Sequence, residues 1–68
     1  MSKVVDARGL SCPAPVVLTM KAVKDNDEVE ILVDTNVSKE NVRRFLEGKK
    51  YLVEVEEKTD YFILKGRK

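Results

Sequence analysis

The sequence predicts an α/β (α+β) two-layer sandwich of order β-α-β-α-β-β, with a mixed four-stranded sheet and both helices on one face. Three observations carry this expectation. Apolar and charged residues alternate over Glu28–Asp34 and Tyr51–Lys58, the period of strands with one buried face. Apolar residues recur at spacings of three and four over Pro13–Lys24 and again after Ser38, the period of helices. The chain has 68 residues, enough for one domain, 1–68, and one core.

Each element can be read in turn. Lys3–Ala7 contains Val4 and Val5 and reads as a short strand closed by Arg8-Gly9. Pro13–Lys24 reads as a helix with an apolar stripe of Val16, Val17, Met20 and Val23. Lys21 and Lys24 suit the negative end of its dipole, and Asp25-Asn26-Asp27 is a turn. Val29, Ile31 and Val33 form the buried face of the next strand. Ser38 is the expected cap of a second helix, with Val37 and Val42 spaced as a hydrophobic staple. Val42, Phe45 and Leu46 give its stripe, and Gly48 its end. Tyr51, Val53 and Val55 alternate with Glu54 and Glu56, and Tyr61–Lys65 is the last strand, joined near Thr59-Asp60. Strand-helix alternation implies parallel crossovers, while the final hairpin is antiparallel, so the sheet is mixed. Right-handed crossovers that step the same way put both helices on one side and leave the other face to solvent.

Composition excludes much. Thirteen basic and twelve acidic residues leave a formal charge of +1, without the basic excess of a nucleic-acid binder. No apolar run approaches the ~20 residues that span a bilayer, and Met1-Ser2-Lys3 runs directly into a strand rather than a signal peptide. One cysteine and no histidine rule out an internal disulfide, a zinc site and any Ser-His or Cys-His pair. The three glycines form no phosphate loop. A lone thiol fits a reducing compartment, so the expected location is the cytoplasm, and neither metal nor organic cofactor is expected.

The segment that carries chemistry is Gly9-Leu10-Ser11-Cys12-Pro13-Ala14-Pro15. A free cysteine is often just a small buried hydrophobe. Cys12, however, lies off the apolar stripe, at the junction of loop and helix. Pro13 biases it towards an extended backbone. If Pro13 opens the helix, Cys12 is the cap; if Pro15 opens it, Ala14 is. Either way no Ser, Thr, Asp or Asn caps the first-turn amides, which are left facing a sulfur atom. Helix N-termini lower a cysteine pKa from ~8.5, and the thiolate is the nucleophile. Arg8, Lys21 or Lys39 could add to that effect.

Asp6-x-Arg8-Gly9-Leu10-x-Cys12-Pro13-x-Pro15, at the front of this element order, resembles the TusA/SirA-type sulfur-carrier family over essentially the whole chain. The resemblance implies a two-layer sandwich like the C-terminal domain of bacterial translation initiation factor 3. It implies that Cys12 accepts persulfide sulfur from a cysteine desulfurase or another donor and passes it to a downstream acceptor protein. Pro13, Pro15, Gly9, Arg8 and Asp6 would shape the site. The second helix, Ser38–Phe45, is similar to the YedF-like branch linked to selenium metabolism, so selenium is a second possible cargo.

The remaining polar residues have plainer roles available. Asp6, Arg8 and Gly9 read as scaffolding for the loop, Asp34 and Thr35 as a strand end beside a helix start, there for capping or turn formation, and Arg43 and Arg44 as solvated charge. Two rival functions stay open: an RNA-binding or regulatory module using Tyr51, Tyr61 or Phe62 to stack on bases, and a redox sensor in which Cys12 pairs with glutathione.

Overall fold

The computed structural model describes residues 2–10 and 14–68. The chain runs β1 (Ser2–Asp6), α1 (Ala14–Asp25), β2 (Glu28–Val33), α2 (Asn36–Gly48), β3 (Leu52–Glu57) and β4 (Phe62–Arg67), the expected order. In the sheet the strands lie β1-β2-β4-β3. β1 is parallel to β2, and β4 is antiparallel to both β2 and β3, so the sheet is mixed. No helix among the described residues is long and apolar enough to cross a membrane.

One face of the sheet makes the core. Val29, Ile31 and Val33 of β2 are buried, and the register sets them beside Gly66, Leu64 and Phe62 of β4. α1 and α2 pack on each other and on this face, as the alternation requires. Gly66 is where α2 comes closest: a Cβ there would sit 3.2 Å from Leu46 Cδ1 and 3.3 Å from Val29 Cγ2. The other face carries Glu28, Glu30, Glu54 and Lys65, and cross-strand pairs such as Glu30 with Lys65 suit a solvated surface.

Three local expectations are corrected. The buried stripe of α1 is Pro15, Thr19 and Ala22, whereas Val17 and Met20 are 41% and 46% exposed. Thr19 fits in the core because its hydroxyl donates to the Pro15 carbonyl at 2.8 Å, which satisfies the buried oxygen. The cap of α2 is Thr35, not Ser38: Thr35 is extended, and its Oγ1 accepts from Ser38 N–H at 3.1 Å. Ser38 is thus one turn further in and buried, and Val37 is 65% exposed, so no staple forms. The third concerns β3, an edge strand, where Tyr51 is buried before its start but Val55 is 41% exposed.

Gly48 does close α2, yet the left-handed residue is Lys50, with φ of 67°. Lys50 N–H donates to Glu47 O and Tyr51 N–H to Leu46 O, both at 3.0 Å, which is the Schellman pattern. The turn delivers Tyr51 into the core, where its hydroxyl donates to Asn26 O at 2.7 Å. A side chain at a left-handed position costs roughly 1–2 kcal/mol. Glycine relieves that but loses more chain entropy, about 0.5–1 kcal/mol. Lys50→Gly is therefore expected to stabilise the fold by about 0.5–1 kcal/mol, raising Tm by roughly 2–8 °C, as thermal unfolding would measure. An unchanged or lower Tm would contradict this account of the turn.

Candidate functional site

The parallel pairing of β1 with β2 brings Asp6 and Val33 to one end of the sheet. Phe62 of β4 is paired with Val33 and with Glu57 of β3, so the β3–β4 hairpin reaches the same end. Both helices start there, at Ala14 and Asn36. In open α/β sheets this end of parallel strands is the usual place for a site.

A turn over Ala7–Leu10 carries the chain out of β1, and all four of its amides have acceptors. Ala7 N–H extends the sheet to Leu32 O at 2.8 Å, and Leu10 N–H closes back on Ala7 O at 3.4 Å. Arg8 N–H donates to Asp6 Oδ1 at 3.1 Å. Gly9 N–H donates to Asp34 Oδ2 at 2.8 Å, across to the end of β2. Gly9 has φ of 78° at the third position of the turn, where a left-handed backbone favours glycine.

The Arg8 guanidinium doubles this anchoring. Its Nε and Nη2 donate to Asp6 Oδ1 and Oδ2, each at 2.9 Å, a two-point geometry that fixes direction as well as distance. The same guanidinium lies 4.9 Å from the centre of the Tyr61 ring. So the turn is held from β1, from β2 and from the hairpin. Arg8's hydrogen bonds, from the side chain first and the backbone amide second, lower the Asp6 carboxyl to about 2. Asp6 in turn raises Arg8.

Among the residues singled out from sequence, Asp6, Arg8 and Gly9 come together in this turn. Pro15 is separate: it is the second residue of α1 and buried. Cys12 and Pro13 lie outside the described residues. α1 is described from Ala14, so Pro15 does not open it with Ala14 as the cap; the opening at Pro13 lies outside the described residues. Pro15 has no N–H, which leaves Ala14 and Val16 as the donors among the first three residues of the helix. Lys39 lies at this end, with Nζ 4.7 Å from the Phe62 ring centre. Lys21 is seven residues into α1, about 10 Å along the axis, in an open groove beside β1 with Asp25.

Two residues of the site were missed or misread in the sequence. Asp34 was read as a strand end, yet it holds Gly9, 25 residues away. Tyr61 was read as a sheet residue, yet it backs Arg8. Nothing in a spacing pattern signals either, because both contacts depend on the strand order. Charge is also less even than its total: the two helices and Lys49-Lys50 hold seven basic residues and three acidic ones. That face still lacks a stacking platform, since Tyr51 is buried and Phe45, Tyr61 and Phe62 are half-buried, each under a cation. Among the described residues no three His, Cys, Asp or Glu side chains gather as a metal site would need.

Comparison with known proteins bears on this geometry. The family model described as sulfurtransferase TusA matches residues 3–68. The chain belongs to that family. It is 36% identical over 61 residues to a protein of Methanocaldococcus jannaschii named, provisionally, a sulfur carrier protein; the match spans 85% of this chain and 81% of that one. The crystal structure of a SirA-like protein from Desulfitobacterium hafniense is similar with a TM-score of 0.85 and 31% identity, over 97% of this chain and 95% of that one. The β-α-β-α-β-β sandwich is therefore also the fold of that relative.

The Asp6–Arg8 clamp has a titration of its own. A carboxyl with a lowered folded pKa contributes stability above the unfolded value near ~3.9 and loses it as pH falls towards the folded one. The Asp6 carboxyl carbon, followed by NMR, is expected to titrate at about 2. In Arg8→Ala the midpoint should rise towards the ordinary range, stopping short because the backbone amide remains. An ordinary midpoint in the unaltered protein would show that the clamp does not form in solution.

Proposed function

We propose that this chain is a sulfur carrier in which Cys12 takes persulfide sulfur from a cysteine desulfurase or another donor and yields it to an acceptor protein. The observation that carries the reading is the pinned Ala7–Leu10 turn, every amide of it bonded, which ends two residues before Cys12 in a chain of the TusA family.

The chemistry balances without an outside oxidant or reductant. The Cys12 thiolate attacks the outer sulfur of the donor's persulfide, Cys–S–SH. A new S–S bond forms to Cys12 as the donor's own S–S bond breaks. The outer sulfur keeps its hydrogen, and the donor leaves as a thiolate. Cys12 then bears the persulfide, and an acceptor thiolate takes the outer sulfur by the same exchange in reverse roles. Attacking and leaving thiol pKa values set both rates. The Ala14 and Val16 amides, at the positive end of α1, favour negative charge on a neighbouring sulfur. No cofactor takes part in this exchange, selenium could travel by the same route, and a reducing compartment such as the cytoplasm keeps Cys12 available.

Asp6, Arg8, Gly9, Pro13 and Pro15 shape the site in this reading rather than react. The redox-sensor alternative would use the same thiol, and the product separates the two. Reduced protein incubated with a cysteine desulfurase, its cofactor and cysteine is expected to gain the mass of one sulfur atom. Reductant should remove it, and Cys12→Ser should never acquire it while keeping its fold. Loading of the serine variant, or glutathionylation in place of persulfidation, would sink the proposal.

A further inference from the structure

We propose that Asp34 is the positioning residue of the Cys12 loop, acting through its hydrogen bond to the Gly9 amide. This rests on the sulfur-carrier reading of Cys12 and names a residue outside the Asp6–Pro15 motif as part of the same site.

The argument begins with what holds each part of the turn. Two of its four amides are served locally, Arg8 by Asp6 and Leu10 by Ala7, and the Ala7 amide continues the backbone ladder to Leu32 of β2. Gly9 is the one amide of the turn held by a side chain from outside it and beyond β1, that of Asp34 just past the end of β2. Asp34 is the first residue after β2 and immediately precedes Thr35, the cap of α2. Its place is therefore set by a buried strand on one side and a capped helix on the other. Through one 2.8 Å bond it transfers that rigidity to the residue three before Cys12.

Among the described residues, no second acceptor for the Gly9 amide is found. Among the same residues, a Cβ built on Gly9 meets no atom within 4 Å, so no packing contact from them holds this residue. Its left-handed backbone is allowed to glycine but is only one of several conformations glycine visits. The Asp34 carboxylate selects among them. The Arg8 guanidinium lies near enough for Asp34 to contribute to raising it, so the acceptor is not an isolated anion. What Asp34 supplies is an acceptor in a fixed place, which asparagine can also supply and alanine cannot.

The test compares Asp34→Ala with Asp34→Asn, and uses Thr35→Ala as a control that weakens the α2 cap without touching Gly9. Two rates are read: sulfur loading from a cysteine desulfurase, and alkylation of Cys12 by iodoacetamide across pH, which needs no sulfur donor. Asp34→Ala is expected to load about tenfold more slowly, since a loop displaced by about an ångström loses roughly that or more. Asp34→Asn should stay within about twofold of the unaltered protein, and so should Thr35→Ala. The alkylation profile should change in Asp34→Ala and be restored in Asp34→Asn. In the unaltered protein NMR should detect a coupling across the hydrogen bond between the Gly9 amide nitrogen and the Asp34 side-chain carboxyl carbon, a readout that does not require any variant to fold.

Equal rates in Asp34→Ala and the unaltered protein would overturn the inference while leaving the carrier reading intact. So would an asparagine variant as slow as alanine, which would assign the effect to charge, or a Thr35→Ala variant just as slow, which would assign it to general loosening. A Gly9 amide without that coupling would overturn it as well. If the unaltered protein gains no sulfur, the carrier reading fails, and the alkylation profiles still decide whether Asp34 positions the loop.

Discussion

The molecule depends on β2 being buried along one side and paired along both edges. With Val29, Ile31 and Val33 all buried, the strand is the floor on which both helices rest. Its register with β1 and β4 then decides which residues can meet. A chain of this size has no second core and no internal covalent staple, so the fold is concentrated in this one contact layer. The close approach at Gly66 belongs to the same constraint: α2 lies down on β2 and β4 only because one position of β4 has no side chain.

The site follows from that layer. Because β1 and β2 are parallel, their C-terminal ends coincide, and the two loops that leave them are neighbours although 28 residues separate Asp6 from Asp34. The β3–β4 hairpin returns to the same end and brings Tyr61 under Arg8. Individually these contacts are modest. Exposed ion pairs and cation–π contacts are screened by solvent and each adds little. Their effect lies in direction: a two-point carboxylate clamp, a ring and a remote acceptor constrain one short turn from three sides.

How much of this was legible in the sequence depended on how local the cause was. The strand period in Glu28–Val33 and the helical stripe of Val42 and Leu46 are set by burial on one side, and the sequence displays them directly. The stripe of α1 was misplaced because hydrophobicity alone favoured Val17 and Met20 over Thr19. A threonine that bonds back to Pro15 O is buried at little polar cost, and no hydropathy pattern contains that bond. Thr35 and Ser38 are both good caps by type, and only the backbone shows that Thr35 is the extended one. Asp6 and Arg8 stand together in the motif, and all three hydrogen bonds between them span only two residues. Asp34 and Tyr61 were not legible in this way, because their partners arrive through the strand order.

A carrier differs from an enzyme in what it asks of a fold, and this one suits the difference. Many catalysts enclose their substrate in a cavity. A carrier must instead show one sulfur to two proteins in succession, so enclosure would defeat it. What it needs is a reactive atom on an exposed segment whose ends do not move. Here the described chain is bonded through Leu10 on one side and helical from Ala14 on the other, with three residues between. Restricting the ends of so short a segment lowers the ordering cost at each encounter, the term that otherwise limits binding between proteins. The fold thus spends its small core on holding the two described ends, the bonded turn and the start of α1.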